Sequence, residues 1–524
     1  MHYTFPYPSQ RMPVMAKNIV ATSQPLAAQA GLQMLYKGGN AVDAALATAI
    51  CLTVVEPTSN GIGGDAFCIL WDGKQLHGLN ASGRSPGALT PERFAGQREM
   101  SVDGWDSVTV PGCVSAWVEL SEKFGKLPFE TLFESAIHYA RDGFLVSPIT
   151  ATSWESQAES FKKFPEFAAK FMPNGRAPRA GEVFRFPEQA TTLELIASTK
   201  GEAFYRGELA EKIVADAKRH DALMREEDLA THRADWVGTV SQGYKGLEVH
   251  EIPPNGQGLA ALIALGILKH HNASQYEVDS AESLHLQLEA MKLALSDAYR
   301  YVSDPTTMDV SVEDLLDESY LFERAKRIDM NRAQDFGHGT PKGKSTVYLT
   351  AADASGMMVS FIQSNYYGFG SGIVVPGTGI SLQNRGYGFT LQKGHPNEVG
   401  GGKRPFHTII PSFVTQDGKP LMSFGVMGGP MQAQGHVQMI LRMFDYGQNP
   451  QVANDAPRWR ILDGLEVAVE DFEESVLDKL TQKGHRIHKE SAFGGFGGAQ
   501  LIYKTQSGYI AGSDHRKDGQ ALGF

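Results

Sequence analysis

Cysteine is scarce in this chain, which has only Cys51, Cys68 and Cys113 among its 524 residues. So small and odd a number excludes a disulfide framework and favours a reducing compartment. Each of the three lies among apolar residues, as is typical of structural cysteines in a protein core. No Cys-x-x-Cys pair and no Cys/His pair has the spacing of a zinc site, so we expect neither a metal nor another cofactor.

Long apolar runs and clusters of basic residues are also missing. No stretch reaches the ~18 apolar residues that cross a membrane, and the N-terminal stretch lacks the apolar segment of a secretory signal. The net charge is −11, and Lys and Arg form no block of the kind that binds nucleic acid. We therefore expect a cytoplasmic protein that acts on a small molecule, without a membrane or nucleic-acid partner.

The spacing of apolar residues changes at a polar linker, NRAQDFGHGTPKGKS, which occupies residues 331–345. Before it the apolar residues recur mainly at helical spacing, and after it short apolar stretches predict strands. TVYLTAAD and MMVSFIQS, joined by a DASG turn, predict a β-hairpin that begins at Thr346. This change of pattern predicts a helix-rich first part and a strand-rich second part around a shared system of sheets.

Two features of the first part are interpreted as structural. The loop TSNGIGGD (58–65) is rich in glycine, but it stands between a helix and a strand. No helix N-terminus points at it, so a packing turn is favoured over a phosphate site, with a wall of the active site as the other alternative. His285 lies on a helix with an apolar stripe, and a surface or hydrogen-bonded histidine is favoured over a metal ligand.

The linker ends at Ser345-Thr346, where the first strand of the second part begins. A threonine hydroxyl is a weak nucleophile unless a base accepts its proton. If the chain is cut before Thr346, its own α-amine, with an ordinary pKa of about 7.7–8.0, can be that base. No GxSxG or HExxH sequence is present to supply another mechanism. From the residues alone, an ordinary strand threonine is the alternative.

Short stretches along nearly the whole chain resemble, in sequence and in order, the γ-glutamyltranspeptidase family of N-terminal-nucleophile (Ntn) hydrolases. Each alone is weak, whereas their joint order is specific. They are KGGNAVDAALA (37–47), GIGGDAF (61–67), VPG (110–112), ARDGF (140–144), IPPNGQG (252–258), FGSGIVVPGTGI (369–380), KRP (403–405), GVMGGP (425–430), DYG (445–447), APR (456–458) and GSDHRKDGQALG (512–523).

The resemblance implies an α/β (α+β) fold, a four-layer αββα sandwich made as a self-cleaving precursor. In the family the nucleophilic Thr lies seven residues before the Asp of a turn that ends in Gly, here Asp353 and Gly356. This spacing identifies Thr346 as the nucleophile and implies cleavage between Ser345 and Thr346. The products are a helix-rich large subunit, 1–345, and a strand-rich small subunit, 346–524, which together form one Ntn-hydrolase domain. Whether this two-chain unit dimerises further is left open.

The same resemblance assigns the remaining catalytic residues. The family's second hydroxyl, eighteen residues after the nucleophile, maps onto Ser364, which we expect to orient Thr346; a loop serine is the alternative. The backbone N–H groups of Gly428 and Gly429 match the family's oxyanion hole, where glycine permits close approach of the backbone to the substrate.

Substrate-binding residues match the family less closely. Its carboxylate-binding Arg maps onto Arg84, with a shorter spacing to the following Pro than usual. Its paired serines map onto His407 and Thr408. Its substrate-contacting Asn aligns by count with Tyr366, next to Asn365.

Two departures bear on the choice of substrate. The family's amine-binding Asp is replaced by Gly388, and Arg385 stands three residues earlier. An arginine fork suits a carboxylate, so the exchange favours an acyl group with a second carboxylate or without a free amine. The lid region between Phe389 and Arg404 is shorter than in lidded members, which favours hydrolysis over transpeptidation.

We therefore predict a γ-glutamyltransferase-like amidohydrolase that cleaves γ-glutamyl amides such as glutathione through an acyl-Thr346 ester. The alternative within this chemistry is a glutaryl or cephalosporin-type acylase. Two other classes are a non-catalytic binding homologue, suggested by the altered pocket, and a nucleotide-binding α/β protein, suggested by the glycine-rich loops. The last lacks a GxxxxGK[ST] sequence.

Overall fold

The computed structural model describes residues 10–337, 346–491 and 495–524. Two seven-stranded sheets stack in its centre, and helices cover the outer face of each sheet. Ser345 lies outside the described residues, whereas Thr346 lies within them. In these ranges no helix is both long and apolar enough to cross a lipid bilayer.

The strands of the described ranges are mostly short. In chain order they are β1 (Val14–Ala16), β2 (Ile19–Thr22), β3 (Asp65–Trp71), β4 (Leu76–Asn80), β5 (Phe144–Leu145), β6 (Val183–Phe184), β7 (Asp235–Trp236), β8 (Val240–Tyr244), β9 (Leu247–Glu251), β10 (Val347–Ala352), β11 (Met358–Ser364), β12 (Val374–Val375), β13 (Ile380–Ser381), β14 (Ser412–Gln416), β15 (Lys419–Met427), β16 (Trp459–Asp463), β17 (Glu466–Val469), β18 (Arg486–Lys489), β19 (Gly498–Lys504), β20 (Tyr509–Ser513) and β21 (Gln520–Gly523).

The α-helices lie mainly before residue 330. They are α1 (Pro25–Tyr36), α2 (Ala41–Val55), α3 (Cys113–Phe124), α4 (Glu134–Asp142), α5 (Pro148–Phe161), α6 (Pro165–Phe171), α7 (Pro187–Thr199), α8 (Glu202–Arg206), α9 (Glu208–Arg219), α10 (Glu226–Ala230), α11 (Gly258–Leu268), α12 (Ala281–Tyr301), α13 (Val312–Leu315), α14 (Glu318–Ala325), α15 (Met431–Phe444), α16 (Pro450–Asp455) and α17 (Glu474–Lys483).

Each large sheet contains strands from both sides of the predicted cleavage point. The first sheet has the order β1-β20-β19-β15-β14-β9-β8, and the second has the order β21-β2-β10-β11-β3-β4-β7. The hairpin predicted from TVYLTAAD and MMVSFIQS is β10 and β11, at the centre of the second sheet. Separation of the two parts would therefore expose the edges of β10 and β11 in the second sheet and of β14 and β20 in the first.

Three apolar cores lie between the four layers. The core between the sheets includes Phe67 and Ile362 of the second sheet and Phe413 and Ile502 of the first. Helices α1, α2 and α3 pack on the opposite face of the second sheet, and α11, α15 and α16 pack on the first sheet. Helices α4 to α9 and α12 complete the same two cores from outside. The predicted αββα arrangement is confirmed. Cys51, Cys68 and Cys113 are buried and unpaired, as the sequence indicated.

Helix α2 shows how local sequence anchors the second sheet. The Asn40 side chain accepts the N–H groups of Val42 and Asp43, and Asp43 accepts the Asn40 N–H, which forms a capping box. Oδ2 of Asp353 accepts the Ala41 N–H at 2.7 Å. The turn between β10 and β11 is thereby tied to the start of a fully buried helix.

The loop TSNGIGGD packs closely against later segments, as favoured from the sequence, and its last residue, Asp65, faces the candidate site described below. A Cβ atom at Gly63 would lie 2.3 Å from the Ser381 carbonyl oxygen, and one at Gly64 would lie 2.8 Å from the Ser364 carbonyl oxygen. Both distances are shorter than real Cβ contacts, so glycine is required for this approach. The loop supports the backbone of the segment that follows β11.

Candidate active site

Three neighbouring strands of the second sheet present polar residues at the same end. Val347 pairs with Gln363 across β10 and β11, so Thr346 lies beside Ser364. Ser364 in turn pairs with Asp65 across β11 and β3. Side chains of directly opposed residues point to the same face of a sheet. Thr346, Ser364 and Asp65 therefore form a polar row, and all three are buried.

The hydroxyl of Thr346 is held from two sides. Its Oγ1 donates a hydrogen bond to Oγ of Ser364 at 3.3 Å and accepts one from Nε2 of Gln432 at 3.2 Å. Oγ of Ser364 also accepts the Tyr366 N–H at 2.7 Å. The fold thus brings the predicted nucleophile and the predicted second hydroxyl together, and it fixes the rotamer of each.

The predicted oxyanion-hole glycines form the turn between β15 and α15. Gly428 has φ +127° and Gly429 has φ +61°, conformations that residues with a Cβ rarely adopt. Within the described part of the chain, no acceptor takes the N–H of either glycine. The Gly429 carbonyl oxygen accepts the Gln432 N–H at 3.1 Å, so this turn lies one helical turn from the residue that contacts Thr346.

Arg385 is an almost completely buried guanidinium near this row, with 1% of its surface exposed. Its Nη1 donates to Oγ1 of Thr408 at 2.9 Å, and its Cζ lies 4.5 Å from the ring centroid of Tyr366. Nε and Nη2 have no hydrogen-bond partner among the described residues. Burial lowers the pKa of Arg385 to about 10, against the opposing effect of Asp65, so the side chain remains charged at neutral pH.

Asp65 and His407 form a buried pair beside Arg385. Oδ1 of Asp65 accepts the N–H groups of Gly83 at 3.3 Å and Gly112 at 3.1 Å. Nε2 of His407 donates to Oδ2 at 3.1 Å, and the Ile409 N–H donates to Nδ1 of His407 at 3.4 Å. Because Nδ1 accepts a hydrogen bond, Nε2 carries the proton of a neutral ring.

Burial dominates the protonation of both members of this pair. It raises the pKa of Asp65 to about 7, although Arg385 and two backbone N–H groups act to lower it. It holds the pKa of His407 well below the ordinary value, and the charges of Arg385 and Arg404 lower that pKa further. Burial therefore favours the neutral form of both side chains.

The other predicted substrate residues lie in different settings. Arg84 is half-exposed, and its Nη1 donates to Asp304 and to the Gly402 carbonyl oxygen, both at 3.1 Å. None of these contacts joins it to Thr346. Nδ2 of Asn365 donates to Oγ of Ser381 at 3.1 Å, behind the polar row. Tyr366 is buried and has φ +79°.

A cavity of about 300 Å³ opens beside Tyr366. Gly388 forms part of its wall, and a Cβ there would lie 2.5 Å from the Phe406 carbonyl oxygen. This backbone leaves no room for the carboxylate that family members carry at the position. Five aromatic and two charged residues line it together with polar and aliphatic ones, the aromatic and charged residues being Tyr299, Tyr366, Tyr387, Phe389, Phe406, Arg98 and Glu99.

Sequence reasoning missed three residues of the site, namely Asp65, Gln257 and Gln432. Gln257 donates through Nε2 to the carbonyl oxygens of Thr408 at 2.5 Å and Gly429 at 2.9 Å. It thereby joins the Arg385 side of the site to the glycine turn. Asp65 and Gln257 stand inside motifs that were recognised, GIGGDAF and IPPNGQG, but the side-chain direction that gives each a role comes from tertiary packing.

One group of possible metal ligands occurs in the described residues, made of His285, Glu289 and His485. Nδ1 of His285 and Nε2 of His485 share a hydrogen bond at 2.8 Å, and Nε2 of His285 bonds the Asp329 carbonyl oxygen at 2.9 Å. Glu289 forms an ion pair with Lys292, whose ammonium group balances the charge of the carboxylate. His285 is therefore a hydrogen-bonded histidine as favoured, although it is buried and not at the surface.

The chain is similar to known proteins over most of its length. The family model described as Gamma-glutamyltranspeptidase matches residues 27–524. The glutathione hydrolase-like YwrD proenzyme of Bacillus subtilis is 37% identical over 520 residues, covering 97% of this chain and 98% of the relative. The oxamate amidohydrolase proenzyme of Klebsiella pneumoniae is 34% identical over 516 residues, covering 95% and 97%.

A solved structure agrees with the fold over the whole chain. The crystal structure of a cephalosporin acylase from Bacillus halodurans is 48% identical, has a TM-score of 0.96, and covers 100% of this chain and 99% of that protein. The polar row and the glycine turn therefore lie in a fold shared along its full length with that acylase.

Proposed function

The chain belongs to the gamma-glutamyltranspeptidase family of Ntn hydrolases, and we propose that it is a self-cleaving amide hydrolase whose nucleophile is Thr346. Cleavage between Ser345 and Thr346 gives chains 1–345 and 346–524. The observation that carries the proposal is Oγ1 of Thr346, buried and held by Ser364 and Gln432. The relatives from Bacillus subtilis and Klebsiella pneumoniae are named proenzymes, which supports processing of this chain as well.

The proposed reaction has two acyl-transfer steps. The free α-amine of Thr346 takes the hydroxyl proton while Oγ1 attacks the amide carbonyl carbon. The N–H groups of Gly428 and Gly429 stabilise the resulting oxyanion, and the leaving amine takes the proton as the C–N bond breaks. Water then attacks the Thr346 ester, with the same α-amine as base, and the acid is released.

Arg385 supports an acyl group that carries a free carboxylate. Nε and Nη2 are the adjacent pair of an arginine that binds a carboxylate side-on, and both lack a partner among the described residues. A buried, unpaired guanidinium is costly, so an acceptor from the substrate is favourable there. γ-Glutamyl amides, including glutathione, are our first substrate class, with hydrolysis favoured over transfer.

A glutaryl-type acylase is the second candidate because of Gly388. This position carries no carboxylate to hold a free α-ammonium group. The Phe406 carbonyl oxygen leaves no space for a carboxylate side chain there. The aromatic side chains in the wall of the cavity next to it offer contact area to a larger portion of the amide. Three buried, unpaired cysteines support a cytoplasmic location for either candidate.

Two anilide substrates distinguish the candidates. Purified enzyme is assayed with γ-glutamyl anilide and with glutaryl anilide, and Thr346→Ala serves as the control for background hydrolysis. A higher kcat/KM for the γ-glutamyl compound supports the first class, and a higher value for the glutaryl compound supports the second. Equal activity of wild type and Thr346→Ala on both would contradict the proposed nucleophile.

A further inference from the structure

Gln432 lies in the first turn of α15 and is completely buried. Its Oε1 accepts the Ile410 N–H at 2.9 Å, and its Nε2 donates to Oγ1 of Thr346 at 3.2 Å. A backbone N–H can only donate, so the amide oxygen must face Ile410 and the NH₂ group must face Thr346. The fold therefore fixes the direction of the hydrogen bond at the nucleophile.

The hydrogen bonds around Thr346 and Ser364 have mutually compatible directions. Ser364 receives the Tyr366 N–H and the Thr346 hydroxyl hydrogen, while Gln432 donates to a lone pair of the Thr346 oxygen. A neutral amide has no basic site at its nitrogen, so Gln432 does not compete for the hydroxyl proton. Its one available action on this oxygen is donation.

We propose that Gln432 is a catalytic residue that donates a hydrogen bond to Oγ1 of Thr346 as charge develops on that oxygen. The inference rests on the proposed role of Thr346 as nucleophile. Its action differs from that of Gly428 and Gly429, because their N–H groups bind the substrate carbonyl oxygen and Gln432 binds the attacking oxygen.

The charge on Oγ1 changes in each step of the reaction. In acylation, Oγ1 passes its proton to the α-amine as it forms the bond to the acyl carbon. In deacylation, that bond breaks, its electron pair returns to Oγ1, and the α-ammonium gives the proton back. A preoriented donor in a buried site stabilises the partial negative charge at both moments. Self-cleavage uses the same oxygen, so the same donor acts there.

A pair of matched substitutions tests this role. Gln432→Met removes the donor with little change of volume. Gln434→Met is the control, because Gln434 is equally buried in α15 and its Nε2 donates to the carbonyl oxygens of Pro430 and Ile461, away from Thr346. We expect kcat of Gln432→Met to fall roughly 10- to 100-fold with KM within about twofold of wild type, as for a bond that matters in the transition state. Gln434→Met keeps the wild-type kcat.

A second substitution covers the case in which Gln432→Met does not fold. Gln432→Glu retains an acceptor for the Ile410 N–H and places a carboxylate beside Thr346. The negative charge raises the pKa of the Thr346 α-amine, so the rising limb of kcat against pH moves to higher pH. Gln434→Glu leaves the limb in place. The rate of precursor cleavage, followed by intact mass, is a second measure for any variant that processes slowly.

The outcomes separate this inference from the proposed function. If wild type is cut before Thr346 and Thr346→Ala is inactive, but Gln432→Met matches Gln434→Met in kcat and in cleavage rate, the role of Gln432 is wrong and that of Thr346 stands. A rise in KM that accounts for the whole loss of kcat/KM also overturns it, since that indicates substrate binding. Wild type that is active without cleavage overturns the proposed function itself.

Discussion

Ser364 and Asp65 are directly paired across β11 and β3, so the polar row that begins at Thr346 ends at a buried carboxylate. Asp65 then contacts His407 and faces Arg385, whose charge acts on its pKa. The nucleophile and the proposed carboxylate-binding arginine therefore belong to one connected arrangement. Reaction chemistry and acyl-group recognition can be tested separately at its two ends.

The Ser364 hydroxyl is expected to affect chemistry and not binding. Ser364→Ala removes the acceptor of the Thr346 hydroxyl, and we expect a roughly tenfold lower kcat and slower self-cleavage with unchanged KM. Ser360→Ala is the control, since Ser360 lies on the same face of β11 and contacts Tyr348 and the Phe424 carbonyl oxygen instead. Equal kinetics for the two variants would show that Ser364 does not orient the nucleophile.

Arg385 is expected to determine recognition of the acyl carboxylate. Arg385→Met should raise KM for glutaryl or γ-glutamyl anilide roughly 10- to 100-fold, because it removes hydrogen bonds to a charged group worth about 1.5–3 kcal/mol. Arg385→Lys should recover only part of the loss, since an ammonium lacks the side-on fork. Acetyl anilide, which has no carboxylate, is the control substrate. An equal loss of activity on acetyl anilide would contradict carboxylate recognition.

The conformation of Gly428 is expected to be required for turnover. Gly428→Ala places a Cβ 2.9 Å from Cα of Gly497 at φ +127°, so the turn must shift and its N–H groups move. Loss of one oxyanion donor costs roughly 10²–10³ in kcat. Gly447→Ala is the control, because Gly447 also has positive φ but open space around its Cα, and we expect only a modest loss of thermal stability. Gly428→Ala with wild-type kcat would exclude this turn as the oxyanion hole.

Asp65 is expected to make stability depend on pH near neutrality. Its pKa is raised to about 7 in the folded protein from an ordinary value of about 3.9. The folded state therefore binds this proton more tightly, and the resulting stability is full below pH ~4 and lost as the pH rises through about 7. The Tm of Asp65→Asn relative to wild type should rise between pH 5 and 8 as measured by thermal unfolding.

Asp304 provides the control for this pH profile. It lies after α12, and although burial acts to raise its pKa, the N–H groups of Arg404 and Thr306 and the Thr306 hydroxyl hold it below the ordinary value. The Tm difference between Asp304→Asn and wild type should therefore be constant from pH ~5 to 8. A flat profile for Asp65→Asn as well would contradict the raised pKa of Asp65.

Much of the fold and part of the site could be predicted from the sequence. The αββα sandwich that the family resemblance implied is confirmed by the two stacked sheets and the helical layers on their outer faces. The meeting of Thr346 and Ser364 follows from a hairpin whose turn at Asp353 fixes the register of β10 and β11. The family resemblance supplied both positions, and the register of the hairpin explains why two residues eighteen positions apart lie side by side.

The remaining contacts depend on packing between distant segments. Gln432 reaches Thr346 because α15 follows a strand of the other sheet, and no local pattern gives that direction. Asp65 gains its role from the N–H groups of Gly83 and Gly112 and from His407, which come from three separate segments. Arg84 was placed by a local motif match whose spacing to Pro86 is shorter than usual, and its observed partner is Asp304.

N-terminal sequencing of the fully active enzyme, combined with intact-mass analysis, tests the central claim most directly. The account predicts two chains from the 57.0 kDa precursor, one of which begins TVYLT at Thr346, and predicts an uncut, inactive chain for Thr346→Ala. Full amidase activity from a single uncut chain would contradict it, because Thr346 would then have no free α-amine to accept its proton.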